Sequence, residues 1–213
     1  MRTDALSPTA LSEVPISPAP WDLVGRGAIL FTCPPKGSAH RLRTPGAFTF
    51  VDYEQSGVDP YLELLYVPRF THSGGIFGPT IDRIWVTSPR SVVSGRANWG
   101  IPKDLAAITR DDGSDGTERW EARLPGGETL GALTLRPYGP PLPVAKPRAL
   151  GRLLQRMDGR RYATPISVRG RVRLARVEEL TFGAVFADLD ASQVKLAVVV
   201  ERFAMGFHEA RIN

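Results

Sequence analysis

Short runs of β-branched and aromatic residues, separated by loops that contain proline or glycine, recur through most of this 213-residue chain. Such runs are typical of β-strands, and the loops between them are typical of turns. The predicted strands include 28–33, 47–53, 61–67, 81–87, 105–109, 149–157, 161–180 and 194–204. No regular alternation of strands with helices, which would indicate a parallel sheet, is present. The pattern predicts a mainly β fold of nine or more strands, with an antiparallel sheet curled into a barrel or a sandwich.

Two short helices and a linker complete this prediction. Ser88 is a suitable N-cap and Pro89 suits the first helical position, so we expect a helix through 91–98 that leads to Ile101-Pro102-Lys103. Residues 184–191 are predicted to form the second short helix. Residues 137–147 are rich in proline and are predicted to be a linker.

The chain is predicted to form one domain, 21–213, preceded by an extended tail, 1–20, that contains four prolines. The amino-terminal segment lacks the basic start and apolar centre of a secretory signal. No stretch approaches the roughly 20 apolar residues of a membrane helix. We therefore expect a cytoplasmic protein that does not enter a membrane.

The net charge of +5 raises the question of nucleic-acid binding. The best basic stripe is Arg169, Arg171 and Arg173, which would share one face of a strand. We interpret this stripe as the solvated outer face of a sheet and not as a phosphate-binding patch. No nucleic-acid-binding motif accompanies it, so no nucleic-acid partner is expected.

The histidines and the single cysteine do not indicate a metal site. His40, His72 and His208 are far apart in the sequence, and Cys33 follows an apolar run. Metal sites in proteins need ligands at closer, recurring spacings. No metal is expected, and Cys33 is interpreted as a buried, inert thiol.

Lysine is rare in this chain, with only four among 27 basic residues. Lys36 and Lys146 lie in proline-containing turns, and Lys195 begins an apolar strand. Lys103 stands alone among apolar residues, directly after Pro102. If a lysine of this chain is a nucleophile, Lys103 is the first candidate.

The segment 95–106, GRANWGIPKDLA, resembles the segment of acetoacetate decarboxylases that carries their Schiff-base lysine. The resemblance rests on Gly95, Arg96, Pro102, Lys103 and Leu105. Weaker resemblance extends from residue 20 through most of the chain. It aligns Arg26 with the family's active-site arginine and Glu63 with one of its pocket glutamates.

This resemblance implies a cone-like β-barrel with an internal apolar cavity, a homo-oligomer, and no metal or organic cofactor. It also implies that Lys103 forms an imine with a small keto acid, and that the imine accepts the electrons of the bond that breaks as CO2 leaves. Glu63 and Arg26 are the other expected catalytic residues. Burial among apolar residues such as Trp99 is expected to lower the pKa of the Lys103 amine and keep it neutral.

This chain departs from the family pattern at three places. The family's second lysine is Asp104 here, and on a strand Lys103 and Asp104 would point to opposite faces. The family's glutamate after Gly-Arg is Ala97. The family's second pocket glutamate has no counterpart, and His72 is the expected substitute. Trp99 and His72 are thus the expected substrate contacts.

Three other functions stay open at this stage. An aldolase or dehydratase would use the same imine, and a barrel that binds a small apolar molecule would use no covalent chemistry. A nucleic-acid-binding barrel is the third alternative.

Overall fold

The computed structural model describes residues 11–33, 45–73, 76–146 and 151–213, apart from the side chains of residues 72, 73, 76 and 146. The first strands are β1 (Trp21–Thr32), β2 (Gly46–Gln55), β3 (Tyr61–Val67), β4 (Arg69–Ser73), β5 (Ile76–Thr80), β6 (Arg83–Val86) and β7 (Lys103–Leu105). The later strands are β8 (Ala107–Asp112), β9 (Glu118–Arg123), β10 (Thr129–Lys146), β11 (Arg152–Met157), β12 (Arg160–Phe182), β13 (Val194–Phe207) and β14 (Arg211–Ile212). Helix α1 (Pro89–Trp99) lies between β6 and β7, and short 3₁₀ helices span Ala184–Phe186 and Ala191–Gln193.

Most strands form one large sheet in the order β7-β6-β3-β2-β1-β13-β12-β10-β9-β8, and β11 and β14 also pair with β12. Strands β4 and β5 form a separate hairpin. The pairs are antiparallel except for β6 and β7, which are parallel. Strands β7 and β8 stand at opposite ends of the order, yet only Ala106 separates them in the sequence. The sheet must therefore curl until its ends meet, which confirms the predicted barrel.

Helix α1 begins and ends where local chemistry requires. The Ser88 side chain accepts a hydrogen bond from the backbone N–H of Ser91. Pro89 occupies the first turn, where backbone N–H groups make no hydrogen bond within the helix, so its lack of an N–H costs nothing. Gly100 ends the helix with a φ of 60°, in the left-handed region that glycine adopts at little cost. The predicted early helix is confirmed.

The side chains of the barrel strands alternate between two apolar cores. The first core includes Phe48, Phe50, Leu64, Trp120 and Phe186. The second core includes Trp21, Tyr53, Tyr61, Ile84, Trp99, Ile101 and Leu153. Because successive residues of a strand face opposite sides, β1, β2 and β3 each contribute to both cores.

Three local predictions differ from the observed structure. Residues 137–147 were predicted to be a linker, but β10 continues to Lys146 and pairs with β12. Beyond Leu135 this part of β10 has no second pairing to β9, so prolines that lack an N–H are tolerated there. The helix predicted at 184–191 is instead two 3₁₀ helices, and the strand predicted at 105–109 is divided between β7 and β8.

The described part of the amino-terminal segment is docked on helix α1. The Ser17 backbone N–H donates to Ser94 Oγ at 2.9 Å, and the Asn98 side chain donates to the Ser17 carbonyl at 2.8 Å. The Trp21 indole, at the start of β1, donates to the Pro18 carbonyl at 3.0 Å.

The basic stripe of the sequence lies on β12, where Arg169 and Arg171 are exposed and Arg173 is half-buried. Among the described residues, no helix has the length and apolar character needed to cross a membrane.

Candidate active site

A cavity of about 190 Å³ opens within the second core. Aromatic and aliphatic side chains form most of its wall, while Lys103 is the one cation and Glu63 the one carboxylate among its described lining residues. The other lining residues are Trp21, Leu23, Tyr53, Tyr61, Leu65, Val67, Pro79, Ile81, Ile84, Trp99, Ile101, Leu153, Ile166, Met205 and Phe207.

Helix α1 and strand β7 together fix the Lys103 side chain. A methyl group on Gly95 would lie 2.8 Å from Lys103 Cδ, so only glycine leaves room for the aliphatic chain of the lysine. Arg96 Nε donates a hydrogen bond to the Lys103 carbonyl at 2.8 Å and fixes the backbone. The Gly-Arg pair of the sequence motif thus shapes and holds the position of the lysine.

The Lys103 ammonium makes three hydrogen bonds within the protein. Its Nζ donates to Glu63 Oε2 at 2.7 Å, to Ser91 Oγ at 2.9 Å and to the Tyr61 hydroxyl at 3.3 Å. The second Glu63 oxygen accepts a hydrogen bond from the Tyr53 hydroxyl at 3.2 Å. Lys103 and Glu63 side chains are only 5% and 4% exposed, so this is a buried ion pair with hydrogen-bonded partners on both sides.

The charge balance at Lys103 differs from the sequence prediction. Burial works to lower the pKa of the Lys103 amine, but the adjacent Glu63 carboxylate and the Tyr61 hydroxyl outweigh it and raise that pKa above its ordinary value. The expectation that burial alone keeps the amine neutral was wrong, because it omitted a carboxylate in direct contact. Without a substrate, Lys103 is therefore an ammonium.

The two tyrosines beside this pair are held in their neutral form. Burial raises the pKa of Tyr61 to about 12, and burial together with the Glu63 carboxylate raises that of Tyr53 well above its usual range. Both hydroxyls therefore keep their protons at neutral pH, and Tyr53 donates a hydrogen bond to Glu63 while Tyr61 accepts one from Lys103.

Three of the residues singled out in the sequence meet at this cavity: Lys103, Glu63 and Trp99. Trp99 is 1% exposed, donates its indole N–H to the His208 carbonyl, and packs edge-on against Trp21 and Phe207. It is a wall of the cavity. Asp104 is exposed and accepts a hydrogen bond from the Leu105 N–H, so it points away from Lys103, as the strand geometry predicted.

Arg26 does not join this group. It lies on the face of β1 that carries Ala28 and Leu30 of the first core, and its Nε donates to Glu54 at 3.2 Å. Alternation along β1 places Leu23 in the cavity and turns Arg26 away from it. Although the resemblance aligned Arg26 with the family's active-site arginine, Arg26 is not among the described residues that line this cavity.

His72 belongs to β4, opposite Phe77, but its side chain lies outside the described residues. Its expected contact with substrate stays a prediction.

Sequence reasoning missed Tyr53, Tyr61 and Ser91. Tyr61 and Glu63 are two residues apart on β3 and so share a face, a signal present in the sequence. Tyr53 lies directly opposite Tyr61 on β2, and Ser91 is in α1. These last two contacts depend on strand register and on helix packing, which no local motif encodes.

Solved structures share this architecture. The enduracididine biosynthesis enzyme MppR complexed with pyruvate has a TM-score of 0.73 and 18% identity, over 97% of this chain and 95% of that chain. Another MppR structure holds the condensation product of pyruvate and imidazole 4-carboxaldehyde; it has a TM-score of 0.72 and 18% identity over 97% and 94% of the two chains. Acetoacetate decarboxylase from Legionella pneumophila has a TM-score of 0.70 and 15% identity, over 92% of this chain and 88% of that chain.

These likenesses define an acetoacetate decarboxylase-like fold. No protein with a curated description matches this sequence significantly. The chain belongs to the acetoacetate decarboxylase family, whose model matches residues 38–190.

Proposed function

We propose that this protein is a lyase that forms a Schiff base between Lys103 and a small keto acid and releases CO2. The observation that carries the proposal is the Lys103 amine itself, buried in an apolar cavity and hydrogen-bonded to Glu63 at 2.7 Å. A lysine amine that attacks a ketone needs a partner that takes its proton and a dry environment that keeps the imine from early hydrolysis.

Glu63 supplies the proton transfer. When substrate enters, the Lys103 ammonium passes a proton to Glu63 Oε2 along their hydrogen bond, and the neutral amine attacks the ketone carbon. The carbonyl oxygen then takes that proton from Glu63 and becomes the hydroxyl of a carbinolamine. Glu63 then takes a second proton from the carbinolamine nitrogen and passes it to the hydroxyl, which leaves as water, and a protonated imine remains.

The apolar wall then favours decarboxylation. A carboxylate β to the imine loses CO2 when the electrons of its C–C bond move to the imine nitrogen and form an enamine. The described lining residues offer no cation except Lys103 to hold that carboxylate in its charged form. Protonation of the enamine and addition of water to the imine release the ketone product and restore Lys103.

The aldolase or dehydratase alternative shares every step up to the imine or enamine. Its support is the likeness to MppR, whose structure contains a condensation product of pyruvate. The fate of the substrate carboxyl group separates the two reactions, because condensation retains it and decarboxylation releases it.

Borohydride trapping tests the imine. The protein is incubated with acetoacetate or 3-oxohexanoate and sodium borohydride, and the modified peptide is located by mass spectrometry. We expect an irreversible adduct on Lys103 and none in Lys103→Ala, whose fold is checked by circular dichroism. Release of labelled CO2 from a carboxyl-labelled acid tests the second step.

Lys195→Ala is the matched control. Lys195 lies at the surface and donates to the Ser192 carbonyl, so its loss should leave the adduct unchanged. An adduct that persists in Lys103→Ala, or no adduct with either acid, would refute the imine. An adduct on Lys103 without CO2 release would favour the aldolase or dehydratase reaction.

A further inference from the structure

The cavity has a polar end and an apolar end, and strand β3 runs along both. Tyr61 and Glu63 form the polar end, with Tyr53 directly opposite Tyr61 on the neighbouring strand. Leu65 and Val67 follow on the same face of β3. The four-residue step from Glu63 to Val67 covers about 13 Å at the usual strand rise. A molecule bound to Lys103 thus has apolar wall beside it in one direction.

Residues from two other parts of the chain complete the apolar end. Ile81 lies close to the end of β3, because the next N–H, of Asp82, donates to the Tyr66 carbonyl. Leu153 comes from β11, and the neighbouring Gln155 side chain donates to the Ile81 carbonyl. We define the apolar end as Leu65, Val67, Pro79, Ile81 and Leu153, all of which line the cavity.

The cavity is larger than the smallest keto acid requires. An apolar cavity of roughly 150 Å³ in another protein holds a benzene molecule. Here the cavity measures about 190 Å³, and its charged groups are confined to the Lys103–Glu63 pair. A methyl ketone such as acetoacetate would leave much of the apolar end uncovered.

We infer, on the basis of the proposed function, that the substrate carries an apolar group larger than methyl on its ketone carbon. The group is of the size of propyl or phenyl and lies against the apolar end while the ketone carbon meets Lys103 Nζ. A second carboxylate in this position is disfavoured, since none of the five described residues that define the apolar end offers it a cation or a hydrogen-bond donor side chain.

The test compares 3-oxohexanoate with acetoacetate in borohydride trapping. Each buried methylene is worth about 0.8 kcal/mol, so the two additional methylenes should lower the half-saturating concentration about tenfold. Benzoylacetate should also be trapped at a lower concentration than acetoacetate. Equal or weaker trapping of 3-oxohexanoate, with all adducts on Lys103, would overturn the inference and leave the proposed function intact.

Two variants fill the apolar end and test whether the preference for the longer acid arises there. Val67→Trp and Ile81→Trp should each reduce the preference for 3-oxohexanoate over acetoacetate, because the larger ring occupies the space of the propyl group. Leu196→Trp is the control, since Leu196 is 44% exposed on β13 and is not among the residues that line the cavity. A preference that survives both cavity variants would contradict the assigned position.

A binding measurement separates this inference from the proposed function. Calorimetry with 3-hydroxyhexanoate and 3-hydroxybutyrate measures the apolar contact without imine formation, because neither compound has a ketone. Preference for the longer acid together with no trapping of any keto acid would refute the Schiff base and retain the apolar end. If calorimetry shows no difference in affinity between the two hydroxy acids, the inference is refuted, whatever the result of the trapping experiment.

Discussion

The two faces of strand β3 contribute to two different cores. Leu64 and Tyr66 face the first core, where Phe48 packs edge-on against Phe50, Phe182 and Phe186. Tyr61 and Glu63 face the second core, where a cavity surrounds the Lys103 ion pair. The buried side chains of the first core carry no formal charge, while the second core holds two opposite charges away from water.

The difference suits the first core to stability and the second core to the proposed reaction. Close ring packing in the first core removes apolar surface from water at no electrostatic cost. A buried ion pair contributes little to stability compared with an apolar pair of similar volume, because both charges lose their hydration. The proposed Schiff-base reaction therefore accounts for the buried pair better than folding stability does.

The largest effect should come from breaking the ion pair. Glu63→Leu leaves the Lys103 ammonium buried and unpaired, and we expect a loss of about 3–5 kcal/mol in the free energy of unfolding. The double variant Glu63→Leu/Lys103→Met makes the second core apolar like the first and should recover most of this loss. Urea unfolding measures both.

Glu54→Ala is the control for this pair. It removes the partner of Arg26 at the surface, where both side chains are about 40% exposed (39% and 41%), and should cost no more than about 1 kcal/mol. A double variant as unstable as Glu63→Leu alone would contradict the assigned role of the ion pair.

Gly95→Ala should perturb the second core by crowding. The added methyl group would lie 2.8 Å from Lys103 Cδ, so we expect a loss of about 2 kcal/mol in the free energy of unfolding. Borohydride trapping should also be slower, because the amine is displaced from Glu63. Thermal unfolding and adduct formation measure the two effects. Gly126→Ala is the control, because no atom lies within 4 Å of the added methyl group, and unchanged trapping in Gly95→Ala would contradict the contact.

Tyr53→Phe removes one hydrogen bond from the Glu63 carboxylate. Hydrogen bonds to charged groups contribute about 1.5 kcal/mol or more. We therefore expect the free energy of unfolding to fall by an amount of that order, with no change in the fold. Tyr138→Phe alters an exposed tyrosine and should have no measurable effect. Equal urea midpoints for the two variants would show that the Tyr53 hydroxyl does not support the pair.

The smallest effect is a pH dependence confined to alkaline solution. Because the pKa of Lys103 is raised in the folded protein, the stability contributed by its ammonium is fully present below the unfolded pKa of about 10.4 and is lost as pH rises through the folded pKa. The stability of wild type relative to Glu63→Leu/Lys103→Met should thus be constant near neutral pH and fall above about pH 10.

Leu64→Ala provides the comparison from the first core. It removes no titratable group, so its unfolding free energy should follow that of wild type in parallel across the same pH range. If the difference in unfolding free energy between wild type and the double variant begins to change near neutral pH, that result would contradict the raised pKa of Lys103.

The sequence predicted the mainly β barrel because strand and turn signals are local. It also identified Lys103 and Glu63, through a distinctive segment and its family resemblance, and it predicted the opposite directions of Lys103 and Asp104 from strand alternation. It misplaced Arg26, since a resemblance at one position does not fix which face of β1 that position occupies. The charge state of Lys103 was missed for a similar reason, because the contact with Glu63 forms only when β7 and β3 are brought together by β6.

The proposed reaction requires a covalent bond between Lys103 Nζ and the ketone carbon of a keto acid. Nuclear magnetic resonance tests it directly, with protein labelled by ¹⁵N at lysine and 3-oxohexanoate labelled by ¹³C at the ketone carbon. We predict a one-bond ¹³C–¹⁵N coupling at an imine or carbinolamine carbon in wild type and its absence in Lys103→Ala. A bound acid that keeps its ketone carbon signal, with no coupling to nitrogen, would contradict the proposed Schiff base at Lys103.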